Sequence, residues 1–257
     1  MSKHAFIPDL QIKPGVPLDH LTWIGKYLAE KKPDVIVQIG DAADMHSLSS
    51  YDVGKKSFEG RTYKEDVEVV KDGMSMLLQP IREEQARLRR NKEKQWNPEL
   101  ILTLGNHEAR ITRAIDLDRK LDGLIGIDDL GYKSAGWTVY PFLEVVVRGG
   151  IAYSHYFTSG VLGRPISTAA MQLTKKHMSC VAGHQQGRQI AYGRRADGKE
   201  MTSIICGSCY LHDEDYLGNQ GNAHYRGLYM FHEVDDGAFD EMAVSLEYLR
   251  RQYGTMA

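Results

Sequence analysis

Two spacings of apolar residues divide the chain. In the first half, short apolar runs alternate with longer amphipathic stretches. Residues 4–8, 34–39 (DVIVQI) and 100–104 (LILTL) read as strands apolar enough to be buried on both faces. Between them, residues 18–31, 62–90 and 108–120 carry apolar positions three and four apart and predict helices. The stretch 62–92, with its apolar stripe over 63–70 and 74–78, reads as a long cap-like insertion. The second half changes character. Residues 137–148, 151–154, 179–182, 189–194, 202–206, 228–234 and 242–246 are short strand candidates separated by glycine turns. Strand–helix units followed by strand-rich units predict an α/β fold, a sandwich of two sheets. With no repeats, low-complexity tracts or Pro/Ser-rich linkers, residues 1–257 read as one domain.

The early strands end in polar residues of one kind. Asp9 and Gln11 follow the first, Gly40-Asp41-Ala42-Ala43-Asp44 the second, and Gly105-Asn106-His107-Glu108 the third. His155 ends a later strand and Gly183-His184-Gln185-Gln186 another. In open α/β sheets, ligands bind beyond the carboxyl ends of the strands. Taken alone, each of these ends is ordinary turn chemistry. Five in order, all carrying oxygen and imidazole donors, point to a metal site. Two cations about 3.5–4 Å apart would clamp a phosphoryl group and acidify a bridging water. A bridging carboxylate such as Asp41 offsets the repulsion between them. His107, one residue past a ligand, can act as general acid or charge-stabilising donor. Asp44, one helical turn after Asp41, can hold it oriented. Arg110 and Arg113 either reach substrate phosphate or form a solvated helix face.

Composition narrows the class without changing that picture. Lys and Arg number 32 against 34 Asp and Glu, a net charge of −2, with 42% hydrophobic residues. Disorder, collagen and coiled-coil rods are excluded, and a dedicated nucleic-acid coat is disfavoured because it needs a basic excess. No run approaches the ~20 apolar residues of a membrane span, and no secretory signal is evident, so the expected location is cytoplasmic. Three cysteines, including Cys206-Gly207-Ser208-Cys209, read as buried structural residues. His4, His20, His46, His177, His224 and His232 read as structural, and His212-Asp213-Glu214 as surface acid.

Over roughly residues 3–253 the sequence resembles the calcineurin-like metallophosphoesterases, whose pattern is D-x-H, G-D-x-x-D, G-N-H-[DE], a later H and G-H-x-H. Asp9, Asp41, Asp44, Asn106, His107, Glu108, His155 and His184 match it. The stretches 47–52, 58–61, 207–214 and 224–227 are most similar to the branch carried in tailed-phage genomes, which would place the chain in host cytoplasm. The resemblance implies a two-sheet αββα sandwich and a two-metal site. Asp41 would bridge the ions, with Asn106, His155 and His184 completing one site and Asp9, residue 11 and residue 186 the other. Both expected histidines of that second site are glutamines here, Gln11 and Gln186. A neutral amide oxygen is the weaker donor, so one tight and one weak site are expected. Mn2+ suits the pair best, with Mg2+, Zn2+, Fe or Ca2+ as other fillers. The implied activity is hydrolysis of phosphodiesters, nucleotide or DNA, by metal-activated water, with His107 and Asp44 catalytic and Arg110 on the substrate. The alternatives are a phosphomonoesterase acting on protein or nucleotide, and a binding protein with a weakened metal site.

Overall fold

The computed structural model describes residues 1–50, 54, 58–214 and 217–254; Tyr51 and Asp52 of the phage-like stretch lie outside them. The chain is α/β, with two mixed sheets and six helices among the described residues. The first sheet is built from β1 (Ser2–Ile7), β2 (Val35–Gln38), β3 (Glu99–Thr103), β4 (Thr138–Tyr140), β10 (Gly227–Asp235) and β11 (Ala238–Ser245), in the order β11-β10-β1-β2-β3-β4. Strands β1 to β4 are parallel, while β10 and β11 pair antiparallel at one side. The second sheet runs β5-β6-β7-β9-β8, from β5 (Val146–Arg148), β6 (Ile151–Ser154), β7 (Cys180–Ala182), β8 (Arg188–Arg194) and β9 (Glu200–Cys206).

Alternation along the parallel strands explains their unbroken apolar runs. Phe6, Val37 and Ile101 face Tyr153, Val181 and Ile204 in a core between the sheets. Their neighbours Ile7, Ile36 and Leu102 face the other way, into a second core. Helices α1 (Asp19–Lys31), α2 (Tyr63–Arg90) and α6 (Leu246–Tyr253) close that second core through Leu21, Val70 and Leu249. Helix α4 (Ala169–Lys176) covers the far side of the second sheet through Ala169 and Leu173, and the short α5 (Gly218–Asn222) precedes β10. No helix among the described residues is long and apolar enough to cross a membrane.

Helix α2 stands closer to the core than a cap would. Val67, Val70, Met74 and Leu77 are buried, and Gly25 of α1 lies so near the Leu77 carbonyl that a Cβ there would overlap it. Its first turn is capped by Thr62, which accepts from the Glu65 N–H. Next to that turn, Asp66 accepts from the Ser47 N–H and hydroxyl at 2.9 and 2.6 Å, fixing the loop that leaves β2.

Other boundaries depart from the periodicity. Residues 137–148 are not one strand. Pro141 and the left-handed Leu143 (φ 67°) break them into β4 and β5, which join different sheets. The third helix, α3 (Ala109–Leu117), stops short of residue 120, and a single 3-10 turn, Arg119–Leu121, follows. The last strand ends at Ser245, whose side chain caps α6 by accepting from the Tyr248 N–H. Leu246 therefore starts a helix.

Candidate metal centre

The loops after the strands are stitched to one another by their backbones. Leu10 and Gln11 N–H groups both donate to the Asp41 carbonyl (3.1 and 2.9 Å), Gly183 N–H to His155, and Cys209 N–H to Asp9. The buried Glu108 carboxylate holds three turns at once. It accepts from the N–H groups of Asp41 (3.0 Å), Gly105 (2.8 Å) and Ala43 (2.9 Å) and from the Tyr132 hydroxyl (3.2 Å). All four of these partners are donors. Close approach needs glycine at 105, where a Cβ would overlap the Asp41 carboxylate. Three residues of the site stand on left-handed backbone: Gln11 (φ 43°), Asp41 (φ 49°) and His184 (φ 66°).

Asp41, His155 and His184 present ligand atoms within 4.8 Å of one another, so this triad could hold a divalent ion. His155 sets the geometry. Its Nδ1 is 3.0 Å from the Ile39 carbonyl and must donate to it, so the neutral ring turns the Nε2 lone pair inward. There it meets Asn106 Oδ1 at 2.9 Å and Asp41 Oδ2 at 3.3 Å. As placed, three lone pairs converge on one point, an arrangement that a proton or a cation reconciles. Burial opposes the proton, but the Asp41, Asp9 and Glu108 carboxylates outweigh it and lift His155 to about 9. His184 goes the other way: burial and the neighbouring His155 push it down to about 4. Burial works against ionised Asp41 too, yet His107 and His155 hold its carboxyl well below the usual range.

The donor set of one carboxylate, two imidazoles and the Asn106 amide oxygen fits Mn2+, Zn2+ or Fe. A further buried atom is consistent with an ion nearby: Gln11 Oε1 has no hydrogen-bond partner among the described residues. Asp9 lies on the same side, both its oxygens 3.1 Å from the His184 N–H, and burial and Asp41 raise its pKa well above normal. Gln186 is engaged elsewhere. Its Oε1 accepts from the Ser208 hydroxyl and, at 2.7 Å, from Tyr210.

His107 stands beside the triad. Its N–H donates to Asp41 Oδ1 (2.8 Å), its Nδ1 lies 2.8 Å from Asp44 Oδ1, and its Nε2 faces Asp41 Oδ2 at 3.7 Å. Burial lowers its pKa, but Asp41 and Asp44 carry it above the ordinary histidine value. Arg110 pairs with Asp44 at 3.2 Å and approaches His107 Nε2 at 3.3 Å, while the exposed Arg113 donates to the Asn106 carbonyl.

Two partners of this group carry no local signature. Lys13 bridges Asp44 Oδ2 (3.1 Å) and Glu214 Oε1 (2.7 Å), and His212 Nε2 lies 2.8 Å from the same Glu214 oxygen. Glu214 is buried, so it and His212 belong to the site; of the expected surface acids only Asp213 is exposed, paired with Arg226. Tyr156 and Phe142 likewise carry no local signature. The Tyr156 ring lies 4.8 Å from that of His184, and Phe142 meets Tyr156 edge-on at 5.6 Å. The three cysteines are free and buried, and burial pushes the Cys180 and Cys206 thiols up to about 12. No family model matches the chain, and no curated protein matches it.

Proposed function

We propose that the protein is a metal-dependent phosphoesterase that hydrolyses phosphodiesters, its sandwich being of the metallophosphoesterase type. The observation that carries this reading is the inward face of His155, with Asn106 Oδ1 and Asp41 Oδ2 at 2.9 and 3.3 Å and His184 beside them. Asp41, Asn106, His155 and His184 would hold the tighter ion, and Asp9 with Gln11 a weaker one to which Gln186 adds little while Ser208 and Tyr210 occupy its oxygen. A bound divalent ion supplies Lewis-acid polarisation of the phosphoryl oxygen and a water acidic enough to attack at neutral pH.

The chain's own residues do the rest. His107 donates a proton to the leaving oxygen, or stabilises the charge gathering there. Asp44 keeps it oriented, and Lys13 and Arg110 brace Asp44 from two sides. Arg110 also adds positive charge next to the phosphate. A centre with one weakly held cation favours the singly charged diester over a monoester dianion.

The test is a panel with Mn2+ supplied: bis-p-nitrophenyl phosphate, p-nitrophenyl phosphate, single- and double-stranded DNA, cyclic nucleotides and dinucleoside pyrophosphates. Turnover abolished by a chelator, restored by Mn2+ and greater on diesters is expected. Failure of the whole panel with every ion tried overturns the activity; higher kcat/KM on monoesters overturns the diester preference alone.

A further inference from the structure

A cavity of about 850 Å3 opens against the metal centre, and its chemistry is unlike that of the centre. Leu104, Val139, Pro141 and Phe142, at the ends of β3 and β4, give it a mostly apolar wall, and Thr112 of α3 faces them. Asn106 and Tyr156 belong to both spaces, so the cavity and the triad share a boundary. His184, Tyr156 and Phe142 form a run of rings leading from a metal donor into the cavity. Charge is confined to exposed residues: Arg113, and the Asp128–Lys133 pair at 2.8 Å. A phosphate would leave most of this space unfilled, and an apolar wall gives it nothing to bind. The volume is that of a small-molecule site.

We infer that this cavity seats the nucleobase of a nucleotidyl phosphodiester whose phosphate lies at the triad. The inference rests on the phosphoesterase reading above and names its substrate class. An aromatic wall offers a base the offset or edge-to-face contacts that rings prefer. The Thr112 hydroxyl and the Asp128–Lys133 pair supply donors and acceptors for its polar edge, for which an alkyl chain has no use. The site is concave and a base paired inside a duplex cannot enter it, so the substrate is a nucleotide or a strand with an unpaired base and not the interior of a duplex.

Three esters with the same charge and the same leaving group test this: thymidine 5′-(p-nitrophenyl phosphate), methyl p-nitrophenyl phosphate and octyl p-nitrophenyl phosphate. Stacking one base should give the thymidine ester about tenfold or more in kcat/KM over the methyl ester. Thr112 is exposed, so Thr112→Trp narrows the cavity without disturbing a core, and the ratio should fall. A wild-type ratio of one, a ratio untouched by Thr112→Trp, or a preference for the octyl ester overturns the inference while leaving the phosphoesterase reading intact. If none of the three esters turns over, that reading fails, and the cavity is judged by binding alone. Saturation transfer to thymidine from the metal-free chain, weakened in Thr112→Trp, then supports the nucleobase site, and no transfer from the wild type overturns it.

Discussion

Metal binding should expel one proton, and the two imidazoles of the triad fix that number. A ligating histidine must be unprotonated. His184, near 4, is already neutral at pH 7, whereas His155, near 9, is charged. Loading an ion at pH 7 therefore discharges His155 about two pH units below its pKa, roughly a hundredfold in affinity or about 3 kcal/mol. The Mn2+ Kd should fall about tenfold per pH unit from 6 to 8 and flatten above about 9. The metal-free chain responds in the opposite sense. His155 has a higher pKa folded than unfolded, so its contribution to stability is complete below about 6.5 and is lost as pH rises through about 9. Titration calorimetry of the metal-free chain with Mn2+, in buffers of different ionisation enthalpy at pH 7, counts the protons directly. A value near one is expected. Zero or two, or a Kd independent of pH between 6 and 8, would refute the reasoning.

Four substitutions probe the rest of the centre. His184→Ala should strip most of the metal found by elemental analysis of protein loaded with one equivalent, and Gln11→Ala much less; equal losses would remove the distinction between a tight and a weak site. Glu108→Gln places an amide nitrogen where two donors now point, so about two charge-assisted hydrogen bonds are lost, or 3–6 kcal/mol; a denaturation midpoint close to wild type would show that the turns hold without it. His107→Asn should leave metal content unchanged and lower turnover of alkyl diesters by ~10²–10⁴-fold, with a smaller loss on p-nitrophenyl esters, whose leaving group needs no proton. An equal loss on both classes contradicts the general-acid role.

Strand ends were readable because they obey a local rule. The runs at 34–39 and 100–104 are apolar on both faces, and the polar residue that breaks each run enters the rim where the loops meet. The helices α4 and α6 leave little trace in the apolar spacing although Thr168 and Ser245 both cap them through a side chain; a cap in front of a short, polar helix is a weak signal beside that spacing. The break at Pro141 turns on Leu143 adopting a conformation its side chain disfavours, which periodicity does not report. Lys13 and Glu214 illustrate a different limit. They meet across 201 positions, each is an ordinary charged residue in its own neighbourhood, and only packing of the β1 loop against the one after β9 makes them a pair.

Left-handed backbone at Gln11, Asp41 and His184 carries a cost. Glycine occupies such conformations freely, while other residues there cost on the order of 1 kcal/mol each. At 11 and 184 the exchange would also preserve the main-chain hydrogen bonds, because Gln11 and His184 make theirs through the backbone N–H. Glycine there would relax the backbone but empty the space that the buried Gln11 side chain fills and remove the His184 ring from its contact with Tyr156. Backbone ease and side-chain chemistry pull in opposite directions at these positions, and the chain carries the side chains.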